Sequence, residues 1–162
     1  MKFRPSVVLA RMSGDLLARN IPELLGEQSW DAVVPVPASR ANFRRRLFHP
    51  CMEIGQRVVA GGHAPMLLNA LRHTRRRAPQ STLSHSERLR GLRRMFEARR
   101  PALLSGKRVL LVEDVITTGA TSAAATIALL EAGAASVDIV ALARTSVWQR
   151  FRRSVWEASG RP

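Results

Sequence analysis

Cysteines, acidic residues and long hydrophobic runs are scarce in this sequence. The single cysteine, Cys51, excludes an internal disulfide and any zinc site built from several cysteines of the chain. No apolar stretch approaches the roughly 18 residues that span a bilayer. The start, Met1-Lys2-Phe3-Arg4-Pro5, lacks the apolar run of a signal peptide. We therefore expect a soluble, cytoplasmic protein with no membrane insertion.

Acidic residues are missing from one segment in particular. The 162 residues include 26 basic and 12 acidic ones, for a net charge of +14, and 46% are hydrophobic. Between Arg40 and Arg108 there are 17 basic residues against three acids, whereas the remainder of the chain is neutral. Such a concentration of charge fits a phosphate-rich ligand or a nucleic acid. The length predicts one domain with enough apolar residues for a core.

What the sequence does contain is an informative stretch from Val109 to Thr121. Four apolar residues, Val109-Leu-Leu-Val112, predict a short buried strand that ends at two adjacent carboxylates, Glu113 and Asp114. A turn rich in threonine and glycine follows. We expect Thr121 to be the N-cap of the next helix, and Gly133 to be its C′ residue.

The chemistry of this stretch favours a sugar phosphate. In an open parallel sheet, ligands bind beyond the carboxyl ends of the strands. The turn 117–121 offers backbone N–H groups and hydroxyls at a helix N-terminus, which suits a phosphate dianion. Glu113 and Asp114 can accept hydrogen bonds from vicinal hydroxyls, so ribose 5-phosphate fits both parts. The alternative is a strand–turn–helix with a solvated acidic end. A Walker A loop and a Gly-x-Gly-x-x-Gly dinucleotide fingerprint are both excluded, because neither pattern occurs.

The other predicted elements follow from periodicity and capping signals. In chain order they are a helix over about 6–20 ended by Ile21-Pro22, a strand over Trp30–Pro37, a helix from Pro50 to the Gly61-Gly62 pair, a strand over Pro65–Ala70, a helix from Ser84 through Met95 and Phe96, a strand over Ser136–Ala143, and a short C-terminal helix within 146–158.

Two loops are candidates for contact with an anion. The first follows the Trp30–Pro37 strand and presents N–H groups and a cation at the edge of the sheet; it consists of Pro37, Ala38, Ser39 and Arg40. The second is a basic loop over about 72–84, with Arg75, Arg76 and Arg77, that we expect to be mobile and to cover a substrate. The alternatives are an ordinary strand exit and an ordinary surface loop.

The stretch from Val109 to Thr121 resembles the phosphoribosyl pyrophosphate (PRPP) signature of type I phosphoribosyltransferases, and all 13 positions agree. The resemblance implies an α/β fold with a central, mostly parallel sheet flanked by helices. It implies catalytic acids at Glu113 and Asp114, and Mg²⁺ bound through PRPP near them. It assigns the diphosphate to the loop of Pro37 to Arg40. The implied 5-phosphate loop is Thr117, Thr118, Gly119, Ala120 and Thr121.

A narrower resemblance is to the ComF family of competence-associated proteins. It is carried by Val34-Pro-Val-Pro37, by Pro79-Gln-Ser-Thr-Leu-Ser84 with Glu87-Arg88, and by the signature, between about Val33 and Arg144. ComF proteins usually begin with a four-cysteine zinc ribbon, which this sequence lacks, so it is a short member or starts late, and no zinc is expected in it. The family's Gly-Phe-Asn-Gln is replaced here by Leu47-Phe48-His49-Pro50.

Two functions are expected from these observations. The first is a Mg²⁺-dependent phosphoribosyltransferase with an unidentified acceptor, linked to DNA uptake. The alternative is a non-catalytic protein that binds single-stranded DNA through its basic segment and keeps the PRPP pocket as a sensor or relic. Competence proteins and a second copy in a homodimer are further expected partners. We place the phosphoribosyltransferase-like domain at 1–145 and a C-terminal extension at 146–162.

Overall fold

A computed structural model describes residues 6–39, 43–44, 47–74, 91 and 95–145. Within these ranges, no helix is both long enough and apolar enough to cross a membrane. The helices are α1 (Val7–Leu25), α2 (Pro50–Ala60), α3 (Pro101–Leu104) and α4 (Ala120–Glu131). The strands are β1 (Ala32–Pro35), β2 (Leu71–His73), β3 (Phe96–Ala98), β4 (Arg108–Ile116) and β5 (Ser136–Arg144).

A parallel sheet of β1, β4 and β5, with β4 in the middle, organises the described part of the chain. Ala32 pairs with Val109, and Arg108 pairs with Ser136. The expected α/β fold with a parallel sheet and flanking helices is therefore confirmed. The prediction of a strand over Pro65–Ala70 was wrong, because Met66 makes only an isolated parallel bridge to Val33. The next strand is instead β2, which pairs antiparallel with β3.

The side chains of β4 alternate between two cores, as the pleat of a strand requires. Val109 and Leu111 pack in one core with α4, β2 and β3. Leu110 and Val112 pack in the other with α1 and α2. Helices thus cover both faces of the sheet, and the carboxyl ends of β1 and β4 remain at one edge, where ligands bind in open parallel sheets.

β4 is longer than its apolar residues predict. The expectation that Glu113 and Asp114 end the strand was wrong, because the ladder to β5 continues from Glu113 and Ala141 to Ile116 and Arg144. A strand ends where its pairing ends, and the partner strand here extends as far as β4 does. The consequence is that the two acids lie on opposite faces of the sheet.

α1 also passes its predicted end. The pair Ile21-Pro22 does not stop the helix, which continues to Leu25 with Pro22 inside it. Proline cannot donate to the carbonyl four residues earlier, that of Ala18. His63 Nε2 lies 2.8 Å from this carbonyl oxygen and takes the place of the missing donor. A contact from outside the helix therefore offsets the proline.

Several expectations at element ends have mixed outcomes. Pro50 is at N1 of α2, Gly61 is its C-cap, and Gly133, with φ +96°, follows the C-cap of α4, all as predicted. The predicted helix through Met95 and Phe96 was wrong at its end, because Phe96 begins β3 and buries its ring in the core. Apart from residue 91, the rest of that helix lies outside the described residues, as do the loop residues 75–84 and the C-terminal extension 146–162.

Candidate functional site

A pocket of about 240 Å³ lies at the carboxyl ends of β1 and β4. Three segments form it: the loop after β1, the start of α2 and the end of β4, with the end of β2 and the first turn of α4 at its sides. Because these segments are distant in the sequence, the parallel sheet is what brings them together. The lining residues include Pro37, Ser39, His49, His73, Glu113 and Asp114.

Glu113 is held on the α4 side of the sheet. Its side chain is buried, and its Oε2 accepts a hydrogen bond from the hydroxyl of Ser122 in α4. Burial raises the pKa of Glu113, against the lowering effect of the Ser122 bond, and the nearby charge of Asp114 raises it further. The carboxyl is thus fixed in position and easier to protonate than an exposed glutamate.

Asp114 faces the other side of the sheet, toward α2, and is half-buried at the pocket. Its Oδ1 accepts a hydrogen bond of 2.9 Å from the backbone N–H of Val115. Burial, together with the charge of Asp114, raises the pKa of the Cys51 thiol to about 12. Cys51 is therefore an inert part of the pocket wall, since the thiolate is the reactive form.

The turn after β4 has the geometry of an anion site at a helix N-terminus. Gly119 is the N-cap of α4 and has φ +75°, a left-handed conformation that glycine adopts without strain. The expectation that Thr121 is the N-cap was therefore wrong. Thr121 lies in the first turn of the helix and lines the pocket. The backbone N–H of Ala120 donates to Thr118 Oγ1 at 3.3 Å.

The same turn is attached to the end of β5. The Thr145 hydroxyl donates to the carbonyl of Thr117 at 3.2 Å, and the Thr145 N–H donates to the carbonyl of Ile116 at 3.0 Å. Thr117 and Thr118 are exposed, so their hydroxyls face solvent at the rim. The turn is thus positioned by the sheet and still accessible to a ligand.

The loop after β1 is fixed by histidines that the sequence reasoning did not assign to the site. His49 Nε2 accepts a 2.8 Å hydrogen bond from the N–H of Ala38, and His73 Nε2 lies 2.9 Å from the carbonyl oxygen of Pro37. Burial lowers the pKa of His49. The one signal in the sequence was His49 standing where the ComF pattern has asparagine. Of the predicted loop, Arg40 lies outside the described residues, as do Arg75, Arg76 and Arg77.

Two carboxylates in the pocket are available as ligands for a cation, but they do not complete the coordination sphere of a metal ion. Among the residues that the structure describes, no three histidine, cysteine, aspartate or glutamate side chains are grouped as metal ligands. Mg²⁺ commonly keeps several waters and binds one or two carboxylates together with substrate phosphates. Glu113 and Asp114 fit that role, in which the ion arrives with its anionic ligand.

Comparisons with known proteins identify the family. A family model described as "Phosphoribosyl transferase domain" matches residues 50–156. The DNA utilization protein YhgH of Escherichia coli (strain K12) is 34% identical over 120 residues, which are 74% of this chain and 52% of YhgH. The expected resemblance to a ComF-like phosphoribosyltransferase is confirmed by these matches. The chain spans about half the length of the curated relatives it matches.

Solved structures show the same fold. The glutamine PRPP amidotransferase from B. subtilis, complexed with ADP and GMP, superposes with a TM-score of 0.57 at 24% identity, over 84% of this chain and 26% of that one. Adenine phosphoribosyltransferase from Saccharomyces cerevisiae superposes with a TM-score of 0.54 at 19% identity, over 91% of this chain and 74% of the enzyme.

Proposed function

Because the chain belongs to the phosphoribosyl transferase domain family, we propose that it binds PRPP with Mg²⁺ and transfers its phosphoribosyl group to an acceptor. One observation carries this proposal: Thr121 at the N-terminus of α4, the two carboxylates and the loop after β1 border a single pocket. Each of the three matches one part of PRPP, namely the 5-phosphate, the ribose hydroxyls and the diphosphate.

The 5-phosphate belongs in the turn 117–121. The first N–H groups of a helix have no partner within the helix, and the helix dipole adds positive potential at this end. No acidic residue lies in the first turn of α4 to oppose an anion. Thr118 and Thr121 add hydroxyls that can donate to phosphate oxygens.

The ribose belongs over the two acids. Asp114 extends toward the pocket from the α2 side, and Glu113 is fixed by Ser122 from the α4 side. Both carboxylates can accept hydrogen bonds from hydroxyls, whereas they would repel a second phosphate. This part of the pocket therefore suits a sugar. With PRPP bound, Mg²⁺ would neutralise charge on the diphosphate, held by these carboxylates and by the ligand's own oxygens.

The protein's part in the reaction is positioning and electrostatic stabilisation. The bond between the anomeric carbon and the diphosphate oxygen breaks, and its electron pair leaves with pyrophosphate. A bond from the acceptor's nucleophilic atom to the anomeric carbon forms, and the proton on that atom passes to solvent. In the loop from Pro37 to Ser39, we assign Ser39 to the departing pyrophosphate, because proline has no N–H and the Ala38 N–H donates to His49.

Calorimetry with PRPP and Mg²⁺ tests the site. Asp114→Asn removes the charge but keeps the size of the side chain, and we expect affinity to fall about tenfold or more, as for loss of a charged hydrogen bond. Glu27→Gln is the matched control, because it removes one carboxylate from an exposed loop away from the pocket. Equal affinities for the wild type and Asp114→Asn would exclude the proposed role of the acid. Pyrophosphate release with a panel of acceptors tests turnover.

A second candidate function is binding of single-stranded DNA. The specific observation in its favour is the net charge of +14, which lies between Arg40 and Arg108. Aromatic residues suited to stacking on bases are few there, so we propose mainly electrostatic binding. Affinity for a single-stranded oligonucleotide, measured by fluorescence anisotropy, should then fall steeply with salt. A flat salt response, or no binding at low salt, would exclude this function.

A further inference from the structure

The peptide unit between Pro37 and Ala38 is hydrogen-bonded at both of its ends by histidine side chains. The Pro37 carbonyl oxygen lies 2.9 Å from His73 Nε2, and the Ala38 nitrogen lies 2.8 Å from His49 Nε2. A carbonyl can only accept and a backbone N–H can only donate, so His73 donates and His49 accepts. Two separate elements, the end of β2 and the N-cap of α2, therefore hold one peptide plane.

The bonding of His49 determines which of its nitrogens carries the proton. The Met52 N–H lies 3.1 Å from His49 Nδ1, but it also lies 3.0 Å from the His49 carbonyl oxygen. A neutral imidazole has one lone pair available for a hydrogen bond, so it can serve Ala38 or Met52 but not both. Because Met52 has a second acceptor, we assign the lone pair at Nε2 to Ala38 and the proton to Nδ1.

Both histidine rings are held in place by their surroundings. His73 packs against Phe96, with the ring centres 4.5 Å apart and the planes tilted by 41°. His49 is the N-cap of α2 and is partly buried at the pocket. Just before the held peptide, the Val36 N–H donates to the Val112 carbonyl at 2.9 Å. The loop is thus attached to β4 first and to the two histidines immediately afterwards.

We propose that His49 and His73 are positioning residues for the diphosphate of PRPP. They hold the peptide between Pro37 and Ala38 so that the next residue, Ser39, reaches the pocket from a fixed starting point. This inference rests on the proposed function and names the residues that prepare its diphosphate site. Without the histidines, the loop would have to be ordered when the ligand binds, at a cost of about tenfold in affinity for each ordered residue.

The test compares two ligands on the full chain by calorimetry: inorganic pyrophosphate with Mg²⁺, and ribose 5-phosphate. His49→Asn keeps a good N-cap residue for α2 but is too short to reach Ala38, whereas His49→Gln keeps an acceptor at greater reach. His73→Leu removes the donor, and His73→Gln restores one. We expect His49→Asn and His73→Leu each to lose about tenfold in pyrophosphate affinity. Ribose 5-phosphate affinity should stay unchanged, and the Gln variants should keep most of the affinity for both ligands.

The outcomes separate this inference from the function on which it rests. Unchanged or higher pyrophosphate affinity in His49→Asn and His73→Leu would overturn the positioning role while leaving the PRPP site intact. An equal loss for both ligands would overturn it too, since it would show general damage to the domain. A wild-type chain that binds neither ligand would overturn the proposed function itself. If His73→Leu does not fold, the comparison of His49→Asn with His49→Gln decides.

Discussion

Glu113 is a residue whose proposed role in ligand binding opposes its contribution to stability. Its carboxyl is buried beside Ser122 in the wall of the pocket, and burial raises its pKa. The folded chain therefore binds a proton at this position more tightly than the unfolded chain does. The free energy of unfolding must then decrease as pH rises through the window that begins near the ordinary glutamate pKa of 4.5.

Replacing Glu113 by Gln should stabilise the protein at neutral pH and weaken ligand binding. Glutamine still offers an oxygen to the Ser122 hydroxyl but carries no charge to desolvate. Urea unfolding at about pH 7 should show the gain, which should vanish at about pH 4, where the wild-type carboxyl is protonated. Ser122→Ala is the control of opposite sign, because it leaves the carboxylate without its donor at a cost of about 1–3 kcal/mol. A less stable Glu113→Gln at neutral pH would contradict the argument.

Single residues also mark where sequence reasoning succeeds and where it fails. Pro50 and Gly133 were placed correctly, because an N1 proline and a C′ glycine act through their own backbone angles. His49 and His73 were not assigned to the site, because their bonds join residues 11 and 36 positions apart. Such contacts exist only once the sheet has brought the segments together.

Among the secondary-structure elements, α1 and α2 lie close together at Gly14. A Cβ atom there would lie 3.0 Å from the Cα of Ile54 and 2.9 Å from the Cβ of Arg57. Glycine weakens a helix interior in isolation, so the sequence alone makes Gly14 look like a defect. In the structure it is the position that allows the two helices to pack.

Gly14→Ala should therefore destabilise the protein despite its gain in helix propensity. The gain is at most about 1 kcal/mol, whereas overpacking against a backbone atom typically costs about 1–3 kcal/mol. We expect a net loss of about 1 kcal/mol in the free energy of unfolding, measured by urea denaturation. Arg19→Ala, on the exposed side of α1, should change it by less than about 0.5 kcal/mol. A stabilised Gly14→Ala would show that the helices can separate without cost.

The continuation of α1 through Pro22 makes a second prediction at this scale. His63→Ala leaves the Ala18 carbonyl without the donor that replaces the missing proline N–H, and should cost about 1–3 kcal/mol. In a Pro22→Ala background, where residue 22 regains its N–H, the same change should cost clearly less. A double-mutant cycle by thermal unfolding measures the difference. Equal costs in the two backgrounds would refute the compensation.

The ends of elements were harder to predict than their existence. The apolar run of β4 and the turn after it were expected, whereas its extension to Ile116 depends on pairing with β5. The strand expected over Pro65–Ala70 is a single bridge at Met66, since short apolar runs do not show which partner they will find. Local signals therefore predicted which stretch of the chain holds the candidate site, and the tertiary partners determined the walls of the pocket.

Over the molecule as a whole, the excess of basic residues opposes the compact folded state. A net charge of +14 on 162 residues causes self-repulsion in the compact state. Raising NaCl from about 0.01 M to about 0.15 M shortens the Debye length from about 30 Å to about 8 Å. We expect the melting temperature to rise over this range, as measured by circular dichroism. Matched ionic strengths of NaCl and KCl should act alike, and a falling melting temperature would show that attractive ion pairs outweigh the repulsion.

The family and the parallel sheet could be predicted because they depend on one contiguous stretch, Val109 to Thr121, whose chemistry is local. The charge pattern and the signature turn did not depend on packing either. What could not be predicted is the assembly of the pocket from β1, α2, β2 and β4, because that depends on which strands are neighbours.

The contact between His63 and the carbonyl of Ala18 restricts the order in which descendants of this chain can change. While residue 22 is proline, substitution of His63 leaves the Ala18 carbonyl without its hydrogen-bond donor, and selection acts against the resulting loss of stability. Once the proline has been replaced, the bond to Ala18 should constrain the histidine less strongly. Of the two mutational paths between the present pair and a pair of alanines, the one that begins at Pro22 is the easier to follow.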